Sequence, residues 1–215
     1  MVTLGINTAS RTTAIALIKG EEVLVENSWP TQNDEAEKLL PNIHSLLKKK
    51  KLDFKDLTRL VVVQGPGSFT GLRIGVTVAN LIANLQKIPV HSVDTFTLLR
   101  RKNDSKPTEP IVLLAGKKEI YIQEKEGAEP TITKLEEAAE QLVQSNPSGN
   151  TVHGELLPDQ AESIPNFKSS KKTFANTLKD LKPKDLKKAP KSIVHPLYIK
   201  EPSVSQPKPI KTQSK

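Results

Sequence analysis

Gln64-Gly-Pro-Gly-Ser-Phe-Thr-Gly-Leu-Arg-Ile-Gly75 holds four of the ten glycines in this chain of 215 residues. Leu60 to Gln64 before it is a short apolar run that reads as a buried strand. Leu72 to Gln86 after it reads as a helix, with Ile74, Val78, Leu81, Ile82 and Leu85 on one broad face. A strand, a glycine-rich turn and a helix start form a geometry that can hold an anion, because the backbone N–H groups there are free and the helix dipole favours negative charge. The spacing of Gly65, Gly67 and Gly71 is GxGxxxG, however, and no Gly-Lys-Ser/Thr follows, so neither nucleotide fingerprint is present. The other reading is a sharp turn that needs glycine where φ is positive, with Ser68 or Thr70 as helix cap. On either reading Gly65, Gly67, Ser68, Thr70 and Arg73 shape the turn, and Arg73 is placed to meet a carboxylate or a phosphate.

Outward from the turn, residues 2–8, 14–18 and 23–26 read as a three-stranded antiparallel meander, with turns at 7–11 and 19–21. Asp34 to Lys51 reads as a helix carrying Leu39, Leu40, Ile43, Leu46 and Leu47, kinked or delayed by Pro41. Ile88 to Val93 returns as a strand. Three strands, then helix, strand, helix, strand, make an α/β lobe over residues 1–101. Residues 102–110 are polar and mark a boundary. Strands near 111–114, 119–123, 131–133 and 151–153, a helix at 135–144, a loop over 158–170 and a weak helix at 173–181 predict a smaller α/β lobe over 102–200. Residues 193–199 read as a last strand or docking segment, and 201–215 as a disordered basic tail. No internal repeat is visible.

The chain contains no cysteine, which excludes a disulfide scaffold, a thiolate metal site and a cysteine nucleophile. No apolar run reaches the length of a membrane span and the first residues lack a signal-peptide pattern, so a cytoplasmic protein is expected. Of the net charge of +8, residues 168–215 carry +10, from 13 lysines against 3 acids, so the remainder is slightly acidic. That segment reads either as an attractor of RNA or phosphate or as a solubilising tail; it has no arginine and its aromatic residues, Phe174 and Tyr198, lie far apart.

The four histidines, His44, His91, His153 and His195, are too far apart in sequence for an HxxxH metal pair, and Ser68 lacks a Gly-x-Ser-x-Gly frame. No catalytic, cofactor-binding or metal-binding residue is therefore expected. Trp29 reads as a packing or interface residue. The apolar stripes of the two helices are wider than one sheet-facing seam needs, and Gly75 and Ala79 allow close approach. Leu39, Ile43, Leu46, Leu47, Gly71, Gly75, Val78, Ala79 and Ile82 are the candidate partner interface.

Gly65 to Gly75 resembles the GPGSFTGxRIG stretch of the TsaB family. Leu4-Gly-Ile-Asn-Thr-Ala-Ser10, Leu39-Leu-Pro-Asn-Ile43, Ile88-Pro-Val-His-Ser-Val93 and His195-Pro-Leu-Tyr-Ile-Lys200 resemble further stretches of that family. The resemblance implies the two-lobed α/β ASKHA (actin-like ATPase/RNase H-like) fold, with a divergent second lobe. It implies a non-catalytic subunit of the machinery that makes threonylcarbamoyladenosine beside the tRNA anticodon, paired through its two helices with the paralog TsaD. A TsaE-like ATPase would dock on that pair, tRNA would be met through the complex, and the chain alone would form a homodimer. The family's usual Asp in the first turn is Asn7 here, a second-lobe Asp is replaced at Ala115, and a His near the first helix start is replaced by Glu35. Each loss moves the chain away from chemistry of its own. Two other readings remain open from the residues: a small ASKHA nucleotide-binding ATPase or kinase, and an RNA-binding module that uses the basic C-terminal segment.

Overall fold

Val2, Leu4 and Ile6 alternate with Thr3, Gly5 and Asn7 along β1 (Val2–Asn7), and all six are buried. A strand buries both of its faces only where both faces of its sheet are covered. The computed structural model, which describes residues 1–32, 34–116, 118–190 and 193–200, places β1 inside a six-stranded sheet. β2 (Thr12–Lys19) pairs antiparallel with β1, and β3 (Glu22–Pro30) antiparallel with β2, giving the predicted meander. α1 (Glu35–Lys49) follows and runs through Pro41. β4 (Arg59–Gly65) then adds parallel to β1, α2 (Phe69–Gln86) crosses back, and β5 (Val90–Asp94) adds parallel to β4. α3 (Thr95–Asn103) carries too short an apolar pattern to be read from sequence. Its start is set by Asp94, whose carboxylate accepts the Thr97 N–H at 2.9 Å.

β6 (Ile111–Leu114), β7 (Glu119–Gln123) and β8 (Thr131–Lys134) form a second meander. After α4 (Leu135–Ser145), β9 (Val152–Glu155) adds parallel to β6; past the short α5 (Pro158–Ala161), β10 (Phe167–Lys168) adds parallel to β9. The second sheet, β10-β9-β6-β7-β8, thus repeats the β5-β4-β1-β2-β3 order of the first. The fold holds an internal repeat that the sequence does not show.

The chain ends on the first sheet again. α6 (Phe174–Asp180) packs on β1, β2 and β3, and β11 (Lys187–Lys188) pairs antiparallel with β5 at the sheet edge. Residues 174–194, placed with the second lobe by sequence, lie against the first sheet because their apolar side chains are taken up there. Phe174 and Leu178 pack with Val61 and Val63, and Val194 packs with the core under α2. The 193–199 segment makes no strand. The expected tail, 201–215, lies outside the described residues.

The two faces of the first sheet are covered differently. Leu4, Ile6, Leu60 and Val62 pack against α1 and α2. Ala14, Ala16, Val61 and Val63 pack against α6 and Leu98 of α3. Phe96 and Leu99 of α3 point instead to Ile111, Leu113 and Tyr121 of the second sheet, so α3 is shared between the two.

Candidate functional site

β4 and α2 are joined by a turn whose glycines face the first β-hairpin turn. Gly65 has φ of +114°, which a residue with a side chain rarely adopts. A Cβ at Gly67 would collide with the Ala9 carbonyl, one at Gly71 with the Thr8 carbonyl, and one at Gly75 with the Thr8 side chain. The turn is a backbone-to-backbone fit against residues 8 and 9. Two of its N–H groups are taken up internally: Ser68 N–H donates to Ala9 O at 2.9 Å, and Ser68 Oγ accepts from Gly71 N–H at 3.2 Å. Ser68 is therefore the cap, and Thr70 is exposed. Asn7 is 6 % exposed and engaged in its own turn, with Oδ1 accepting Ala9 N–H at 3.0 Å and Nδ2 donating to Ser10 Oγ.

Within the chain, Arg73 packs on aromatic side chains. Its guanidinium lies 3.9 Å over the Phe69 ring, and its Nε donates to the Tyr198 hydroxyl at 3.2 Å. The Tyr198 and Phe69 rings are 4.9 Å apart. This cluster stands at the rim of a cleft of about 1040 Å³ between the two sheets, lined by Arg11, Ser68, Glu119, Tyr121, Glu155 and Lys200 among others. Cations and carboxylates are mixed in it, and Lys200 is paired with Glu119. Burial pushes the Tyr121 phenol above its ordinary value, so the hydroxyl stays neutral there. Among the described residues no three histidine, aspartate or glutamate side chains gather as a metal site.

Of the nine residues expected at a partner interface, Leu39, Ile43, Leu46, Leu47, Gly71, Gly75, Ala79 and Ile82 are buried within the chain; Val78 is half-buried. This corrects the expectation for eight of them. The most aliphatic stripe of each helix covers the sheet, and the two glycines meet Thr8. The outward stripe is different. Leu40, Leu81 and Leu85 are 41 %, 47 % and 65 % exposed. With Pro41, His44 and Phe54 they line an apolar groove of about 510 Å³ between α1 and α2. His44 stacks on Phe54, ring centroids 6.3 Å apart. The apolar stripes read from the sequence contained Leu40, Leu81 and Leu85, but spacing alone does not say which stripe faces out. Trp29 packs against the core beneath the same helices.

The family model for "TsaD: tRNA N6-adenosine threonylcarbamoyltransferase" matches residues 30–153. The "tRNA threonylcarbamoyladenosine biosynthesis protein TsaB" of Bacillus subtilis is 36 % identical over 99 residues, covering 46 % of this chain and 43 % of that protein. The protein of that name from Buchnera aphidicola subsp. Schizaphis graminum is 30 % identical over 114 residues, 53 % of this chain and 54 % of its own. The matched stretch spans about half the length of these curated relatives. Among solved structures, YeaZ from Pseudomonas aeruginosa superimposes with a TM-score of 0.63 over 83 % of this chain and 89 % of its own, at 18 % identity. The ethanolamine utilization protein EutJ from Carboxydothermus hydrogenoformans does so with 0.52 at 9 % identity. Both likenesses are of fold.

Proposed function

Because the chain belongs to the TsaD (tRNA N6-adenosine threonylcarbamoyltransferase) family and, within it, to the TsaB proteins, we propose that it is a non-catalytic subunit in the biosynthesis of threonylcarbamoyladenosine on tRNA. It binds a TsaD-like paralog through the groove between α1 and α2. The observation that carries this reading is the set of Leu40, Leu81 and Leu85, large apolar side chains held in solvent on two adjacent helices. Exposed apolar patches with a polar surround mark protein contacts. Two features support a role without chemistry of its own: Asn7 is committed to its turn, and two N–H groups of the glycine turn, on Ser68 and Gly71, are taken up by Ala9 and by Ser68 Oγ. A TsaE-like ATPase is the expected third component, tRNA is reached through the complex, and the cytoplasm is the expected site. Among the described residues no helix is long and apolar enough to cross a membrane.

Light scattering on a sizing column tests the proposal, with the chain alone and then mixed with the TsaD-like protein of the same genome. A homodimer replaced by a heterodimer is expected. Leu81→Asp with Leu85→Asp should weaken the heterodimer at least about 30-fold, the loss of one buried hot spot of about 2 kcal/mol. A chain that stays monomeric and ignores the paralog overturns it.

A further inference from the structure

The lysines of the C-terminal segment are not spread along a loose tail. α6 is held down by Phe174 and Leu178, which pack where Gly5 has no side chain. Its first N–H groups, on Phe174 and Ala175, donate to the Glu26 carboxylate at 3.3 and 2.7 Å. Lys187 and Lys188 sit in β11, fixed to the sheet edge, where successive side chains alternate: Lys188, level with His91, is on the α6 side and Lys187, level with Ser92, on the α1–α2 side. Lys168, Lys171, Lys179, Lys182, Lys187 and Lys188 are all exposed, and among the described residues none of them makes an ion pair. The acids of residues 168–190 are engaged: Asp185 is buried and held bidentately by Arg101, and Asp180 is paired with Lys172 at 2.6 Å. Lys172 and Lys184 are compensated, by Asp104 and Asp180 and by Glu126, and the other lysines leave a net positive surface.

We propose that this lysine face, formed by Lys171, Lys179, Lys182 and Lys188 around α6, docks the phosphate backbone of a folded RNA. The proposal deepens, and rests on, the reading of the chain as a subunit of an RNA-modifying assembly. Three observations select this occupant. Lysine is depleted at the cores of protein interfaces, which use apolar and aromatic anchors instead. Membrane-surface helices need exposed apolar residues beside their lysines, whereas the large apolar side chains of residues 168–190 are covered. Contacts made by lysine, with no exposed arginine or aromatic residue beside it, read charge and not bases, so binding is tolerant of sequence.

The geometry adds a consequence. α6 and the α1–α2 groove cover opposite faces of the first sheet. A protein partner in the groove leaves the lysine face open, and the two surfaces can be disabled separately.

The test is fluorescence anisotropy of the full chain with a labelled tRNA transcript, alone and with the TsaD-like partner. Four or more phosphate contacts predict that affinity falls about 100-fold or more between about 50 and 200 mM salt. Lys171→Gln, Lys179→Gln, Lys182→Gln and Lys188→Gln together should weaken binding at least about tenfold and reduce the salt slope by about 3. Heterodimer formation by light scattering should be unchanged in this variant. Leu81→Asp with Leu85→Asp should lose the heterodimer and keep RNA binding by the chain alone. Equal RNA affinity for wild type and the quadruple variant overturns the proposal, even where the heterodimer forms. So does tighter binding to anionic vesicles or to polyglutamate than to RNA, or loss of all affinity when residues 201–215 alone are removed.

Discussion

Asp185 is a buried acid inside the most basic part of the chain. Burial alone would push its carboxyl up. The two hydrogen bonds from Arg101, each 2.8 Å, and one from the Lys182 N–H outweigh that and hold it below the ordinary carboxylate range. The partner moves the other way, with Arg101 held above its usual value by the same carboxylate. A carboxyl with a lowered folded-state value stabilises the fold above its unfolded value, about pH 4, and that contribution is lost as pH falls through the folded value. Asp185→Asn should therefore cost about 1.5–3 kcal/mol near neutral pH, the range for hydrogen bonds to charged groups. Below about pH 4 the difference from wild type should shrink. Urea unfolding at several pH values measures both. A variant that loses equal stability at every pH contradicts the ion-pair account.

At the scale of elements, the two long helices were legible because each carries an apolar stripe with a 3.6-residue period. Pro41 does not end α1, since the sheet beneath holds Leu39, Ile43, Leu46 and Leu47. α6 has only seven residues and little propensity to form alone. It depends on Glu26, a residue of β3 about 150 positions away in sequence, whose carboxylate takes its first two N–H groups. Glu26→Ala should cost about 1–2 kcal/mol, the range for loss of a helix cap. It should also raise hydrogen exchange over 174–181 before the rest of the first sheet exchanges. If exchange there is unchanged, α6 is held by its apolar face alone. β11 had no sequence signal: two consecutive lysines carry no alternation, and only the free edge of β5 makes them a strand.

The whole molecule is tied together by its last described residues. Asn80 holds Val194 through two hydrogen bonds of 2.9 Å, Leu197 N–H donates to Gln64 O, Tyr198 joins Phe69 and Arg73, and Ile199 packs on the second sheet. Residues 193–200 therefore run from the core under α2 across the cleft rim to β7, where Lys200 pairs with Glu119. Removing everything after residue 192 should split one cooperative unfolding transition into two, because among the described residues mainly α3, the Lys184–Glu126 pair and the chain itself would then join the sheets. Scanning calorimetry checks this. A single transition at an unchanged midpoint would mean that α3 suffices.

The meander, the first two crossover helices, the glycine turn and most strands of the second sheet are local features. They follow from alternation, helical spacing and turn chemistry within a few residues of each other, so the sequence alone determined them and the family signature at 65–75. Tertiary structure decided the rest. Whether Leu39 or Leu40 faces the sheet depends on what the helix packs against, not on spacing. That the glycines receive Thr8 and Ala9, that Arg73 donates to Tyr198, and that α6 covers the face opposite the groove are contacts between residues 58 to more than 150 positions apart. Such contacts form only when burial of the whole core repays the entropy of closing long loops, and no local pattern encodes them.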